Sequence, residues 1–437
     1  MRRTKQNWRK RAGILFACFV LALIVPEEKN EMQAAQVTAP AATEVTMTPA
    51  TTQKLKVSGA ASGITWSSSN AKVAKVNKNG KVTAIKKGTA QITATVGKQQ
   101  YLWNVNVVYG TYKTSDGMKY ADIKGTYGTT GRWFKKSMAG GKYDFTVTDG
   151  SAFYFKVTGT KDVNIKFVTN TSAGKPYFAY SVDGKNMKRQ LISKSKISVG
   201  GANKTHYVRV VIDAMSEKEN RWIGEAGTGI KSITPVTSGG IISAVQPKNS
   251  VIAFYGDSIT QGVRALNIAL TPSGTSATNS YAWYCASKLK YVPYYAGYGG
   301  SGIVQMGSFN NLSNTIEKFT IGRKAENFDA DVIVIEHGTN DVYTGDSTFY
   351  SKYKKAVETL HKKHSKAQIV LMIPFTQIHA SAIRKVASAH KKYCTVVETK
   401  SWKISYTDGL HPNKSGAQTA GNNLAKQVKK IVKAAKK

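Results

Sequence analysis

Ser250 divides this chain into two regimes of hydrophobic pattern. Beyond it, apolar strand-like runs at Val251–Tyr255, Val292–Ala296, Val332–Glu336, Ile369–Ile373 and Thr395–Val397 alternate with helical stretches near 280–290, 348–365, 379–392 and 414–435. Repeated strand–helix units of this kind predict a parallel sheet covered by helices on both faces. The expected domain, 246–437, is a doubly wound three-layer α/β unit. In such a unit ligands meet the carboxyl ends of the strands, so functional residues are sought just after each strand.

Before Ser250 the pattern is all-β. From Val45 to Val108, short alternations at Ile64–Trp66, Val73–Val76, Lys81–Ile85, Ala90–Val96 and Leu102–Val107 are broken by turns, with Asn79-Gly80 a hairpin signal. They predict a small β-sandwich over 45–109. A second set follows at Phe145–Val147, Phe153–Val157, Val163–Val168, Tyr177–Val182 and Tyr207–Ile212. So many short strands close most economically as a double-sheet jelly roll, expected over 110–245. A chain of 437 residues has room for all three cores, and 41% hydrophobic content excludes wholesale disorder.

The first residues carry Arg2, Arg3, Lys5, Arg9, Lys10 and Arg11, and an apolar run from Ala12 to Val25 follows. That run is shorter than the roughly 20 residues a membrane-crossing helix requires, so 1–35 reads as a signal peptide, with an uncleaved anchor as the alternative. Cys18 lies inside the run and is read as a spectator. An Ala, Pro and Thr rich tether is expected over 36–44. Cys285 and Cys394 remain, too few for a disulfide framework; a single bridge and two buried thiols are both open. The formal charge of +38 points to an anionic neighbour, which for an exported chain is a cell-wall polymer or membrane surface, or else to solvated lysine faces. No aromatic-plus-basic nucleic-acid motif is present, so nucleic acid is not expected as a partner.

The segment Ile64-Thr65-Trp66-Ser67-Ser68-Ser69-Asn70, with Val73-Ala74-Lys75-Val76 and Gly80-Lys81-Val82-Thr83-Ala84, resembles bacterial Ig-like domains of group two. That resemblance implies a spacer or adhesive module with Trp66 in its core. The second β segment resembles the N-terminal domain of carbohydrate esterase family two at Gly131-Arg132-Trp133-Phe134, Tyr180-Ser181-Val182-Asp183-Gly184 and Tyr207-Val208-Arg209-Val210-Val211-Ile212.

Four signals in the C-terminal domain carry the chemistry: Gly256-Asp257-Ser258-Ile259-Thr260, Gly297-Tyr298-Gly299-Gly300, Gly338-Thr339-Asn340-Asp341 and Asp408-Gly409-Leu410-His411-Pro412. In order and spacing they resemble the four blocks of SGNH hydrolases, also called GDSL-type esterases and lipases. The expected fold class is thus multidomain: an Ig-like sandwich, a jelly roll, then a flavodoxin-like SGNH domain with a parallel sheet. A serine hydroxyl attacks poorly unless a base takes its proton, and His411, in the last of these blocks, has a carboxylate, Asp408, three residues before it. The expected catalytic set is Ser258, His411 and Asp408. The oxyanion donors are the Ser258 and Gly300 amides and the Asn340 side chain, with Gly299 as competitor for Gly300. Asp257 is expected to fix its loop by accepting backbone N–H bonds. His361 and His364 stand three apart on a helix, a surface pair without a third ligand, and neither metal nor cofactor is called for.

Tyr298, Tyr343 and Trp402 lie in or close to these blocks in sequence and are candidate sugar platforms. The resemblance to family two esterases implies removal of acetyl groups from polysaccharide such as xylan or mannan, by a secreted or surface-held enzyme. Three alternatives stay open: an esterase acting on the cell wall or exopolysaccharide, an acyltransferase, and an inactive glycan-binding adhesin.

Overall fold

The computed structural model describes residues 41–59 and 62–435. The expected leader, Cys18 and most of the expected tether lie outside the described residues. The last four tether residues do not, and two of them are strand: a strand begins at Thr43 and runs to Met47, paired in parallel with Gln99–Val107. Val45 and Met47 alternate inward on that strand and bury their side chains, which is enough to draw the segment onto the sheet.

That strand edges a four-stranded sheet, which continues through Gly88–Val96 to Ile64–Ser68 and faces a three-stranded sheet of Thr52–Lys54, Lys81–Ala84 and Ala74–Val76. Val45, Leu55, Val82, Ile92, Val105 and Val107 fill the space between. Trp66 lies half-buried against Trp103 at the edge of this core, with ring centroids 5.5 Å apart.

The second unit is a two-sheet sandwich. One sheet is centred on Ala152–Thr158, flanked by His206–Ala214 and Ile241–Pro247. The other runs Phe134–Met138, Gly141–Thr146, Gly227–Pro235, Asp162–Asn170 and Lys196–Ser198. Phe153, Phe155, Ile165, Phe178, Val210 and Ile212 form its own interior.

The C-terminal unit holds five parallel strands in the order Val292–Gly297, Val251–Gly256, Val332–Glu336, Gln368–Met372, Cys394–Val397. The side-chain period of two explains why both faces are covered. Ile252, Phe254, Val332, Val334, Val370 and Met372 face helices Tyr281–Leu289 and Lys414–Ala434. Ala253, Tyr255, Ile333, Ile335, Ile369 and Leu371 face helices Asp346–Lys363 and Ala380–Ala389. Cys285 belongs to the first of these two clusters and Cys394 to the second, so the sheet separates them. Both are free and buried, and burial pushes the Cys394 thiol up to about 12. The helix-borne histidines turn to aromatic partners: His361 stacks on Tyr393, and His364 tilts against Phe328.

The jelly roll and the α/β unit share their cores. Phe134, Phe145, Val147 and Trp222 join one α/β cluster, while Tyr120, Ala152, Tyr154 and Val211 join the other. Polar contacts fix the register of this interface. Asp213 accepts from Ser276 Oγ, from Thr278 N at 2.8 Å and from Thr278 Oγ1 at 2.7 Å, tying down the loop before helix Tyr281–Leu289. Arg132 is wholly buried with its guanidinium 4.7 Å from the Phe319 ring centre, and it donates to the Lys318 carbonyl.

Gly150 sits at this seam with φ +86°, and a Cβ there would lie 2.3 Å from the Tyr295 ring. Gly150→Ala adds left-handed backbone strain to a steric overlap and is expected to cost about 2 kcal/mol or more. Urea unfolding followed by Trp fluorescence checks this; a variant as stable as the parent would show that the seam yields freely.

Candidate active site

The strand Val251–Gly256 ends in a sharp turn into a single helical turn, Ser258–Gln261. Asp257 caps it, its Oδ1 accepting the Ile259 N–H at 2.8 Å, as the sequence leads one to expect for this residue. The turn leaves Ser258 at the carboxyl edge of the sheet. His411 arrives from the loop before the last helix, 153 residues away in sequence, and its Nε2 lies 2.9 Å from Ser258 Oγ. His411 Nδ1 lies 2.8 Å from Asp408 Oδ2. Asp408 Oδ1 accepts the backbone amides of Leu410 at 3.1 Å and His411 at 2.7 Å.

Asp408 has a further partner that motif spacing does not announce. Arg264, in a left-handed conformation at φ +54° just past the serine turn, pairs its guanidinium with Asp408 Oδ2. Burial works against the ionised carboxylate, but the His411 amide, the His411 ring and Arg264 outweigh it and hold Asp408 well below the usual carboxylate range. Asp408 therefore stays negative, and it orients the ring so that Nε2 faces the serine.

Beside Ser258, the loop after strand Val292–Gly297 turns through Gly300 at φ +69°, a conformation that a residue lacking Cβ adopts without strain. Gly299, the rival donor, is already engaged: its amide donates to Gln261 Oε1 at 2.9 Å. The amides of Ser258 and Gly300 donate to no protein acceptor among the described residues. Asn340 Nδ2 donates to the Ser301 carbonyl at 3.0 Å and, at a longer 3.3 Å, to Asp257 Oδ2. Both amide hydrogens are thus committed, and serving an oxyanion requires exchanging the weaker contact. Burial raises the Asp257 carboxyl, with Glu217 and Asp341 adding to the effect.

Of the three aromatics flagged from sequence, Tyr298 is a correction. It is fully buried, stacked on Phe309 with ring centres 4.0 Å apart, and its hydroxyl meets Thr148 Oγ1 of the jelly roll at 2.6 Å. Lying just past the end of strand Val292–Gly297, it packs into the interface and leaves no ring face open to solvent. Trp402 is half-buried beside Phe375. Tyr343 is fully exposed on the loop that follows Asn340. Asp341 ties that loop to its neighbour by accepting the amides of Ile303, Val304 and Gln305 at 2.7–3.0 Å, and exposed Met306, Val342 and Tyr343 stand on the two loops so joined.

Sequence reading also missed a support from the jelly roll. Gln261 Nε2 donates to Asp149 Oδ2 at 2.7 Å, and Arg221 Nη1 donates to the same oxygen at 3.1 Å. Gln261 stands next to the serine block and was within reach of inspection, whereas Asp149 lies 112 residues away in another domain.

Because the folded Asp408 is more acidic than an unfolded aspartate, its stabilisation is present at neutral pH. It begins to fade as pH falls below the unfolded value of about 3.9 and vanishes below the folded one. Asp408→Asn is expected to flatten the acid limb of the stability curve from about pH 4 downward, as read by melting temperatures of both proteins from pH 7 to pH 2. Parallel acid limbs in the two proteins would contradict this electrostatic assignment.

Residues 254–419 match the GDSL-like Lipase/Acylhydrolase family, and residues 34–105 match the bacterial Ig-like domain of group 2. No curated protein matches the chain. Solved structures share the fold of the jelly roll and α/β units. An acetyl xylan esterase from Butyrivibrio proteoclasticus superposes with a TM-score of 0.58 at 16% identity, over 72% of this chain and 98% of that one. A family two carbohydrate esterase from Cellvibrio japonicus gives 0.58 at 17% identity, over 75% and 99%. One from Clostridium thermocellum in complex with cellohexaose gives 0.57 at 19% identity, over 70% and 99%. The C-terminal domain is therefore a GDSL/SGNH-type hydrolase domain, set behind a group 2 bacterial Ig-like domain and built on the two-part scaffold of the family two carbohydrate esterases.

Proposed function

We propose that this protein is a serine esterase that removes acetyl groups from a polysaccharide through a covalent acyl-enzyme. The observation that carries the reading is the continuous hydrogen-bonded series from Ser258 Oγ through His411 to Asp408, with the unpaired amides of Ser258 and Gly300 beside it. In this reading His411 Nε2 takes the serine proton as Oγ bonds to the acetyl carbon, and the carbonyl electron pair moves onto oxygen. The Ser258 and Gly300 amides and the Asn340 side chain receive that charge. Collapse breaks the carbon–oxygen bond to the sugar, whose oxygen leaves with the proton from Nε2. Water, deprotonated by the same nitrogen, then attacks the acetyl carbon, and acetate departs as Ser258 regains its proton.

A saccharide ester is supported by the scaffold, since the relatives of this architecture are described as an acetyl xylan esterase and as an esterase holding cellohexaose. The exposed rim of Met306, Val342 and Tyr343 offers an apolar surface for a sugar face beside the serine turn. Action outside the cell fits the charged and apolar leader and the Ig-like module. Among the described residues no helix is long and apolar enough to cross a membrane. A second reading, an esterase on the cell wall or exopolysaccharide, draws on that module and on the net charge of +38, which retain a protein at an anionic surface.

Acetate release is expected from acetylated xylan or mannan and from an aryl acetate, and is expected to disappear in Ser258→Ala. Preference for peptidoglycan over plant glycans would install the second reading, and inactivity on every acetate would leave a glycan-binding adhesin. Asn340→Ala is expected to lower kcat by about 100-fold, corresponding to roughly 3 kcal/mol of lost transition-state stabilisation, with KM little changed. An unaltered kcat would remove Asn340 from the oxyanion site.

A further inference from the structure

Glu217 belongs to the jelly roll, on the irregular segment after strand His206–Ala214, yet its carboxyl lies against the oxyanion loop of the other domain. A Cβ placed on Gly299 would fall 2.3 Å from Glu217 Oε1 and 2.5 Å from Oε2, so this carboxyl occupies the space that any side chain at Gly299 would need. Oε1 is sealed from solvent and has no hydrogen-bond partner, while the residue as a whole remains partly accessible. The charged groups that act on it are Arg221 of its own segment, Asp149 of the jelly roll, Arg264 past the serine turn and Asp257 next to Ser258 in sequence. Neither arginine makes a hydrogen bond to it; Arg221 is committed to Asp149, and Arg264 to Asp408.

A carboxyl with one oxygen sealed and unpartnered gains most from a donor offered to its open side. We propose that Glu217 is a specificity-determining residue that accepts a hydrogen bond, on the part of its carboxyl open to solvent, from a sugar hydroxyl next to the acetylated one. The inference rests on the esterase reading above and adds to it the role of the second domain: the jelly roll supplies one wall of the substrate site. Burial pushes the Glu217 carboxyl up to about 7, with Asp149 adding and Arg221 and Arg264 opposing, so the assay belongs at pH 8, where the carboxylate form is in excess.

The test compares kcat/KM for methyl xyloside monoacetates with that for their deoxy counterparts lacking one neighbouring hydroxyl, and each enzyme serves as its own reference. Wild type is expected to favour at least one hydroxylated substrate over its deoxy analogue by about 10- to 100-fold. In Glu217→Ala that ratio is expected to fall to near one. Glu217→Gln, which keeps shape and a weaker acceptor, is expected to retain part of it; because the ratio is internal to one variant, partial misfolding cancels. An unchanged ratio in both variants, or a wild type that cleaves the monoacetates without discriminating the deoxy forms, would overturn the assignment of Glu217 and leave the esterase reading intact. A wild type that cleaves neither monoacetates nor an aryl acetate would overturn both.

Discussion

The shared hydrogen bonds on Asp149 Oδ2 hold this structure's functional end in place. That oxygen receives Arg221 from its own domain and Gln261 from the serine turn, and Gln261 in turn receives the Gly299 amide. All three side chains are almost completely buried. Losing one partner of such a buried charged pair typically costs roughly 3–5 kcal/mol, because the remaining charge is stranded. The serine turn and the loop of Gly299 and Gly300 are therefore positioned from outside the domain that carries them. This accounts for the merging of apolar cores across the seam, since a wet or sliding interface would not keep these donors aligned.

The electrostatics of the site follow from the same seam. Carboxyl groups crowd it: Asp149, Asp257, Glu217 and Glu336 are all raised by burial, while Asp408 is held low by Arg264, the His411 amide and its ring. Environment alone separates these residues, which share one chemistry. The carboxyl whose ionisation the histidine needs is given cations and amide donors. For the others burial outweighs the donors and cations they have, and Asp257 serves as a helix cap and an anchor for Asn340.

Arg264, Asp341 and Gln261 show how little of a site its motif displays. Asp341 closes a recognisable block and the other two lie a short step from one, and each contacts a neighbour of the serine and histidine. Arg264 fixes the charge of Asp408, Asp341 gathers three amides into a loop rim, and Gln261 steadies Gly299. The Ig-like module is different in kind: its core is its own, and its half-buried Trp66 packs on Trp103.

Much of the architecture was legible because it rests on local periodicity. The alternation Ile252, Ala253, Phe254, Tyr255 already demands two covered faces, and the helical runs that follow each strand supply the covers. The serine, histidine and aspartate were legible for a related reason: each sits just beyond a strand or just before the last helix, where backbone direction alone presents it. The tether boundary was misplaced by two residues because Thr43 and Glu44 become strand only by pairing with Trp103 and Asn104, a contact with no local signature. Tyr298 was misassigned because its neighbourhood in sequence is catalytic while its side chain faces Phe309 and Thr148. By itself, then, the order of residues determined the layers, the strand ends and the blocks that carry Ser258 and His411. Which amides remain free, which carboxyls are raised or lowered in acidity and which loop Glu217 meets were decided only in tertiary structure. Hydrogen-bond commitment and desolvation depend on what surrounds an atom in space, and those neighbours lie up to about 150 residues away along the chain.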